Sequence, residues 1–117
     1  MASHNVLGKK GEELAKEYFE QNGYEILHCN WSYSRFEVDI IASKNNLLHF
    51  IEVKARSSNR FGHPEESVDK KKIQNLMSAA EEFLHQFPQW KKIQFDILSV
   101  TIKENQTEFF LIEDVYL

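Results

Sequence analysis

Two apolar runs, residues 38–42 and 47–55, flank a polar tetrapeptide, Ser43-Lys44-Asn45-Asn46. No other stretch of this sequence restricts the fold so tightly. The runs read as paired strands, and the tetrapeptide as the turn of a β-hairpin. From Glu37 to Arg56 the chain is E-V-D-I-I-A-S-K-N-N-L-L-H-F-I-E-V-K-A-R. Side chains alternate along a strand, so Glu37 and Asp39 share one face, and Glu52, Lys54 and Arg56 share one face of the next. A lone buried charge is costly, so ionisable groups set among Val, Ile, Leu and Phe call for partners. Where the two polar faces coincide, Asp39, Glu52 and Lys54 converge, and the carboxylates can share a divalent cation.

Twelve residues lie between Asp39 and Glu52, and Val53 alone separates Glu52 from Lys54. An acid, a gap and then Glu-x-Lys on the neighbouring strand is the pattern of the PD-(D/E)xK nucleases. The chemistry needs all three residues. Carboxylate oxygens suit Mg²⁺, which keeps several of its waters. The metal polarises a scissile phosphate and acidifies a water. A lysine one pleat beyond the glutamate orients that water or offsets developing negative charge. The same letters also describe a solvated hairpin face with a salt bridge, and spacing alone leaves both readings open.

A chain of 117 residues fits a single domain, residues 1–117, with a core that needs no disulfide or structural metal. The one cysteine, Cys29, excludes an internal disulfide framework and a cysteine zinc cluster. Set in an apolar-leaning strand, it is expected to be a buried structural thiol. No apolar run reaches the length that spans a bilayer, and the N-terminus lacks a signal-peptide layout. A cytoplasmic protein without membrane contact is expected. The net charge of −4 argues against a generic coat for nucleic acid. Its distribution softens that objection: from Lys54 to Lys72 six Lys or Arg residues (Lys54, Arg56, Arg60, Lys70, Lys71, Lys72) outnumber three acids (Glu65, Glu66, Asp69).

Ser3 or Asn5 is a candidate cap for a first helix that runs to Asn22 and stops at Gly23. Leu7, Gly11, Leu14, Ala15, Tyr18 and Phe19 form its apolar stripe. Glu12 borders that stripe, where it either looks inward at the hairpin or pairs with Lys9 or Lys16 at the surface. Gly8 and Gly11 weaken a helix, which predicts close approach of another backbone. Residues 24–31 read as the first strand. After Arg56 comes a loop rich in Ser, Asn, Gly and Pro that includes His63, a natural place for substrate contact. A second helix, from Ser67 or Asp69 to Phe87, carries the stripe Ile73, Leu76, Met77, Ala80, Phe83, Leu84 and Phe87. Lys70, Lys71 and Lys72 crowd its first turn, where the helix dipole disfavours cations; a phosphate partner would offset that placement. Pro88 ends the helix. Residues 93–102 and 107–115 read as a final pair of strands joined at Lys103-Glu104-Asn105-Gln106. The order α-β-β-β-α-β-β predicts an α/β sandwich, a central five-stranded mixed sheet flanked by helices.

Taken together, Gly8-x-x-Gly11-Glu12, Asn30, E-V-D-I-I, F-I-E-V-K-A-R, F-G-x-P-E-E-S-V and the later Phe95-Asp96 resemble the YraN family of small bacterial proteins. That family is similar to archaeal Holliday junction resolvases within the restriction-endonuclease-like superfamily. The resemblance runs from Gly8 to Val100. It implies that Asp39 and Glu52 are metal ligands with the carbonyl of Val53, that Lys54 is the catalytic lysine, and that Glu12 is the helix-borne acid of the site. Glu37, Arg56, Lys72 and Asp96 match further family positions. Two departures stand out: Phe36 replaces a common glycine before Glu37, and Gln94 replaces an arginine before Phe95-Asp96.

The expected function is Mg²⁺- or Mn²⁺-dependent cleavage of DNA, on branched or damaged substrates, with Arg56, Arg60, Lys70, Lys71 and Lys72 contacting the nucleic acid. The alternative is a non-catalytic module that binds nucleic acid or docks a protein partner on the same fold. Paired cleavage of a four-way junction would call for a homodimer, for which residues 109–112, Phe-Phe-Leu-Ile, offer apolar surface.

Overall fold

Hydrophobic spacing switches from a period near 3.6 to a period of two and back along this chain, and the elements follow those switches. The structure, a computed structural model, describes residues 2–57 and 70–115, with side chains from residue 6 onward. Helix α1 spans Ala2–Gln21, and strands β1 (Glu25–Tyr33), β2 (Phe36–Lys44) and β3 (Leu47–Arg56) follow. Helix α2 spans Lys70–Gln86, before β4 (Ile93–Ile102) and β5 (Thr107–Ile112). Arg60, His63 and the 67–69 start of the second helix lie outside the described residues.

The five strands form one mixed sheet in the order β1-β2-β3-β4-β5, with only the central β3–β4 pair parallel. The helices flank it. On one face Ala15 and Phe19 of α1 bury Ile40, Ala42, Ile51, Leu98 and Val100. On the other, Leu76, Ala79, Ala80 and Phe83 of α2 bury Val38, Ile41, Leu48 and Phe50. The architecture is the α/β sandwich that the element order predicts. Among the described residues no helix is long and apolar enough to cross a membrane.

The ends of α1 differ in how legible they are. The helix begins at Ala2, ahead of Ser3 and Asn5, so neither residue is its cap. Its C-terminus closes as predicted at Gly23, whose φ of 88° suits a residue without a Cβ. Gly23 N–H donates to Glu20 and Tyr24 N–H to Phe19, and the Phe19 and Tyr24 rings meet edge-on at 4.9 Å. This is the Schellman closure with its hydrophobic contact. The β2–β3 turn narrows to Asn45 and Asn46, with φ of 54° and 66°, the left-handed pair that a two-residue hairpin demands.

Gly11, but not Gly8, marks a close approach. A Cβ on Gly11 would stand 2.5 Å from the Cβ of Ala55 on β3, whereas one on Gly8 would meet nothing within 4 Å. Alanine is the better helix former by about 1 kcal/mol, yet at position 11 it drives α1 off the sheet. Gly11→Ala is therefore expected to destabilise the protein by about 1–3 kcal/mol, and Gly8→Ala to stabilise it, both read by denaturant melts.

Two further sequence expectations change. Cys29 is exposed rather than buried, because β1 is an edge of the sheet with solvent on its outer flank. Strand β5, the other edge, ends at Ile112 rather than at residue 115 and leaves Phe109 and Phe110 37% and 47% exposed. Phe109 stacks on Tyr18 of α1 at 4.8 Å.

The interior also holds polar groups. Asp96 of β4 is 0% exposed. Its Oδ2 meets Nδ1 of buried His49 at 2.7 Å, and its Oδ1 accepts from Gln94 Nε2 and from the Asp114 backbone N–H, each at 2.9 Å. Gln94 thus serves this internal network. The network ties β3, β4 and the segment after β5 together.

Candidate functional site

Strands β2 and β3 pair from Lys44↔Leu47 to Ile40↔Ile51, and there the ladder stops. One step further, the same register would set Asp39 directly opposite Glu52, two carboxylates that repel. Strand β2 also changes face at this point. Val38 joins the α2-side cluster with Ile41, whereas Ile40 and Ala42 face α1; strict alternation would group Val38 with Ile40. Asp39, at the break, turns its carboxylate across the gap and accepts the backbone N–H of Val53 at 2.8 Å. A side chain here takes the place of a ladder carbonyl.

The opening so made is a cleft of about 340 Å³ lined by Glu12, Arg35, Glu37, Asp39, Glu52, Val53, Lys54, Lys72 and Asn75. Helix α1 supplies Glu12 from one side of the sheet, and α2 supplies Lys72 and Asn75 from the other. Glu12 thus looks into the hairpin, the inward one of its two sequence readings. Glu52 and Lys54 share the α2-facing side of β3, and Lys54 Nζ stands 3.1 Å from Glu52 Oε2, both side chains 21% exposed. Lys72 Nζ approaches the same oxygen at 3.9 Å.

Electrostatics act strongly on Asp39. Burial, the largest influence, raises its carboxyl to about 6. The Val53 N–H pulls the other way, while Glu52, Glu12 and Glu37 add to the rise. Burial works against the charge of the Lys54 ammonium, but side-chain hydrogen bonds and the negative Glu52 and Asp39 outweigh it and hold its pKa above the ordinary value.

The chain matches, over residues 11–100, the model described as "Uncharacterised protein family UPF0102". It is 47% identical over 105 residues to a UPF0102 protein of Bacteroides thetaiotaomicron, covering 90% of this chain and 86% of that one. The chain belongs to the UPF0102 (YraN) family. A UPF0102 protein of Christiangramia forsetii is 42% identical over 116 residues, with 99% of this chain and 98% of its own length covered. A third, from Flavobacterium psychrophilum, is 41% identical over 116 residues with the same coverage of each chain.

In this UPF0102 chain the structure brings Glu12, Asp39, Glu52, Val53, Lys54 and Lys72 to one cleft and leaves Arg56, Lys70 and Lys71 off its lining. Lys70 and Lys71 are exposed at the start of α2, and Arg56 is half-buried at the end of β3. Arg35 and Asn75 line the cleft without having been singled out in the sequence. Arg35 follows Ser34 of the β1–β2 turn, and its guanidinium lies 5.2 Å over the Phe36 ring. The Phe36 ring thus acts as a platform for a cation at the cleft mouth. Asn75 lies three positions beyond Lys72, one helical turn along the same face of α2, and that spacing was the only signal for it.

The donor chemistry fits a hard cation. Asp39 and Glu52 offer carboxylate oxygens, and Val53 lines the same cleft. Among the described residues no three His, Cys, Asp or Glu side chains form a ready-made ligand cluster. Two carboxylates and a carbonyl are the sparse protein set that Mg²⁺ takes while keeping several waters.

Proposed function

We propose that this protein is a metal-dependent endonuclease that hydrolyses phosphodiester bonds in DNA, on branched or damaged substrates. The observation that carries the reading is the strand split that sets Asp39, Glu52 and Lys54 around one cleft with Glu12. Asp39, Glu52 and the Val53 carbonyl would hold Mg²⁺ or Mn²⁺, as the likeness to restriction-endonuclease-like resolvases implies. When bound, the cation supplies Lewis acidity towards the phosphate and lowers the pKa of a water. Lys54, kept charged beside Glu52, offsets negative charge that grows on the phosphoryl oxygens. Glu12 faces the same space and offers an acceptor that orients a water or takes its proton. Lys72, Arg35 and Asn75 give donors on the cleft walls for the phosphates that flank the scissile bond. Outside the cleft, Lys70 and Lys71 add sequence-independent attraction that weakens as salt rises. Cutting both equivalent positions of a four-way junction would take two copies, and Phe110 on edge strand β5 offers exposed apolar surface to join them.

The second reading is a binding or docking module without cleavage. The two ammonium groups already beside Glu52 favour it, as does the net charge of −4. Mn²⁺ calorimetry and a cleavage assay on linear, flapped and four-way DNA separate the two. Cleavage that falls at least about a hundredfold in Asp39→Ala and Lys54→Ala is expected, since even groups behind metal ligands cost 10–100-fold. Mn²⁺ binding without cleavage of any substrate selects the module; absence of both overturns the metal site. Sedimentation at micromolar concentration with the four-way DNA reports whether two copies assemble.

A further inference from the structure

The β2–β3 hairpin has a second end, and its chemistry is unlike that of the cleft. There the turn residues Asn45 and Asn46 meet the chain between α2 and β4 and line an open cavity of about 490 Å³ with Gln89, Trp90, Lys91 and Lys92. The Leu48 N–H donates to the Lys92 carbonyl at 3.0 Å and ties the two walls together. The lining is one indole, two ammonium groups and three carboxamides. It contains no carboxylate, in a chain whose acids outnumber its bases by 18 to 14.

Trp90 is the centre of this surface. Part of its ring packs against the α2-side core, yet the residue is only half-buried, and among the described residues no other ring stacks on it. Trp31 provides the contrast, with its ring held edge-on to Phe83 at 5.3 Å. A half-exposed indole, cations beside it and amides on a left-handed turn is the combination that holds nucleobases by stacking, phosphates by charge and base edges by hydrogen bonds. A paired duplex hides its base faces, so this surface favours unpaired nucleotides. We propose that the cavity formed by Asn45, Asn46 and the 89–92 segment is a binding site for single-stranded nucleic acid, separate from the cleft. From Leu47 to Glu52 along β3 is about 17 Å at strand rise, too far for Trp90 to touch a group reacting in the cleft. The inference rests on the reading of the protein as one that engages nucleic acid, and it supplies the substrate class: DNA with an unpaired segment beside the point of cleavage.

The test uses the full chain with Trp31→Phe, which leaves Trp90 as the only indole, in EDTA so that no cleavage occurs. An oligo-dT of about 10 nucleotides, within the span that such surfaces cover, is titrated in. Quenching of Trp90 emission is expected, with no change on adding a blunt duplex of equal length. By fluorescence anisotropy Trp90→Ala is expected to weaken oligo-dT binding at least about fivefold. Trp90→Phe, which keeps a ring, retains most of the affinity, and Lys91→Glu with Lys92→Glu loses it. Oligonucleotide binding that leaves Trp90 emission unchanged overturns the site, and so does absence of binding. Mn²⁺ calorimetry on the same protein reads the cleft independently, so either proposal can fail while the other stands.

Discussion

Asp39→Asn is expected to make the protein more stable, not less, at neutral pH. The folded state lifts the Asp39 carboxyl from 3.8 to about 6, so folding favours the protonated acid. The stability this group contributes is present in full below its unfolded value and is lost as pH rises through about 6. Above that pH the folded chain carries a buried, crowded carboxylate at a cost of about 3 kcal/mol. Asparagine removes the charge and keeps an oxygen to accept the Val53 N–H. Thermal melts without divalent cations should therefore show Asp39→Asn several degrees above the parent at pH 7.5 and level with it at pH 4. Equal melting at both pH values would mean that the carboxylate is not strained in the fold. Such a cost at a site of unspent charge is the usual trade between stability and activity. The same titration sets the pH dependence of any bound cation: affinity should climb towards pH 6 as Asp39 ionises, then level off.

The largest loss of stability is expected from Asp96→Ala. That carboxylate is fully enclosed and engages His49, Gln94 and the Asp114 N–H at once. Removing it strands the buried His49 ring and leaves two part-buried donors without their acceptor, at a cost of about 3–5 kcal/mol. Replacing His49 and Asp96 together should cost less than the two single changes summed, because neither partner is then left alone. Urea denaturation of the two single variants and the double variant measures this. A loss below about 1 kcal/mol for Asp96→Ala would show that water replaces the carboxylate without penalty.

Most of the fold could be read from the residues because local signals and tertiary packing agree. The runs 38–42 and 47–55 have strand periodicity, Asn45-Asn46 is competent for a left-handed turn, and Gly23 stands where α1 must end. The cleft was legible only in part. Strand parity brings Asp39, Glu52 and Lys54 towards one another, but no rule of alternation foretells that β2 changes face at Asp39 and parts from β3. Arg35 and Asn75 reach the cleft through the turn after β1 and the seating of α2, both set by packing far from either residue. Cys29 looked buried because its neighbours are apolar, yet position at the sheet edge decides exposure, and strand order is not written locally. His49 gave no hint of its partner, since Asp96 lies 47 positions further on. Trp90-Lys91-Lys92 was visible as letters. It gained meaning only when the Asn45-Asn46 turn was found across from it.

The hydrogen bond from Val53 to Asp39 makes one backbone amide a gauge of charge. A ladder amide ordinarily reports on the neighbouring strand, whereas this one reports on a carboxylate whose protonation changes near pH 6. Its proton and nitrogen resonances should follow that ionisation, and a cation that draws on the same oxygens would shift them again. The state of the cleft is thereby recorded in the main chain, where it can be observed with no substrate present.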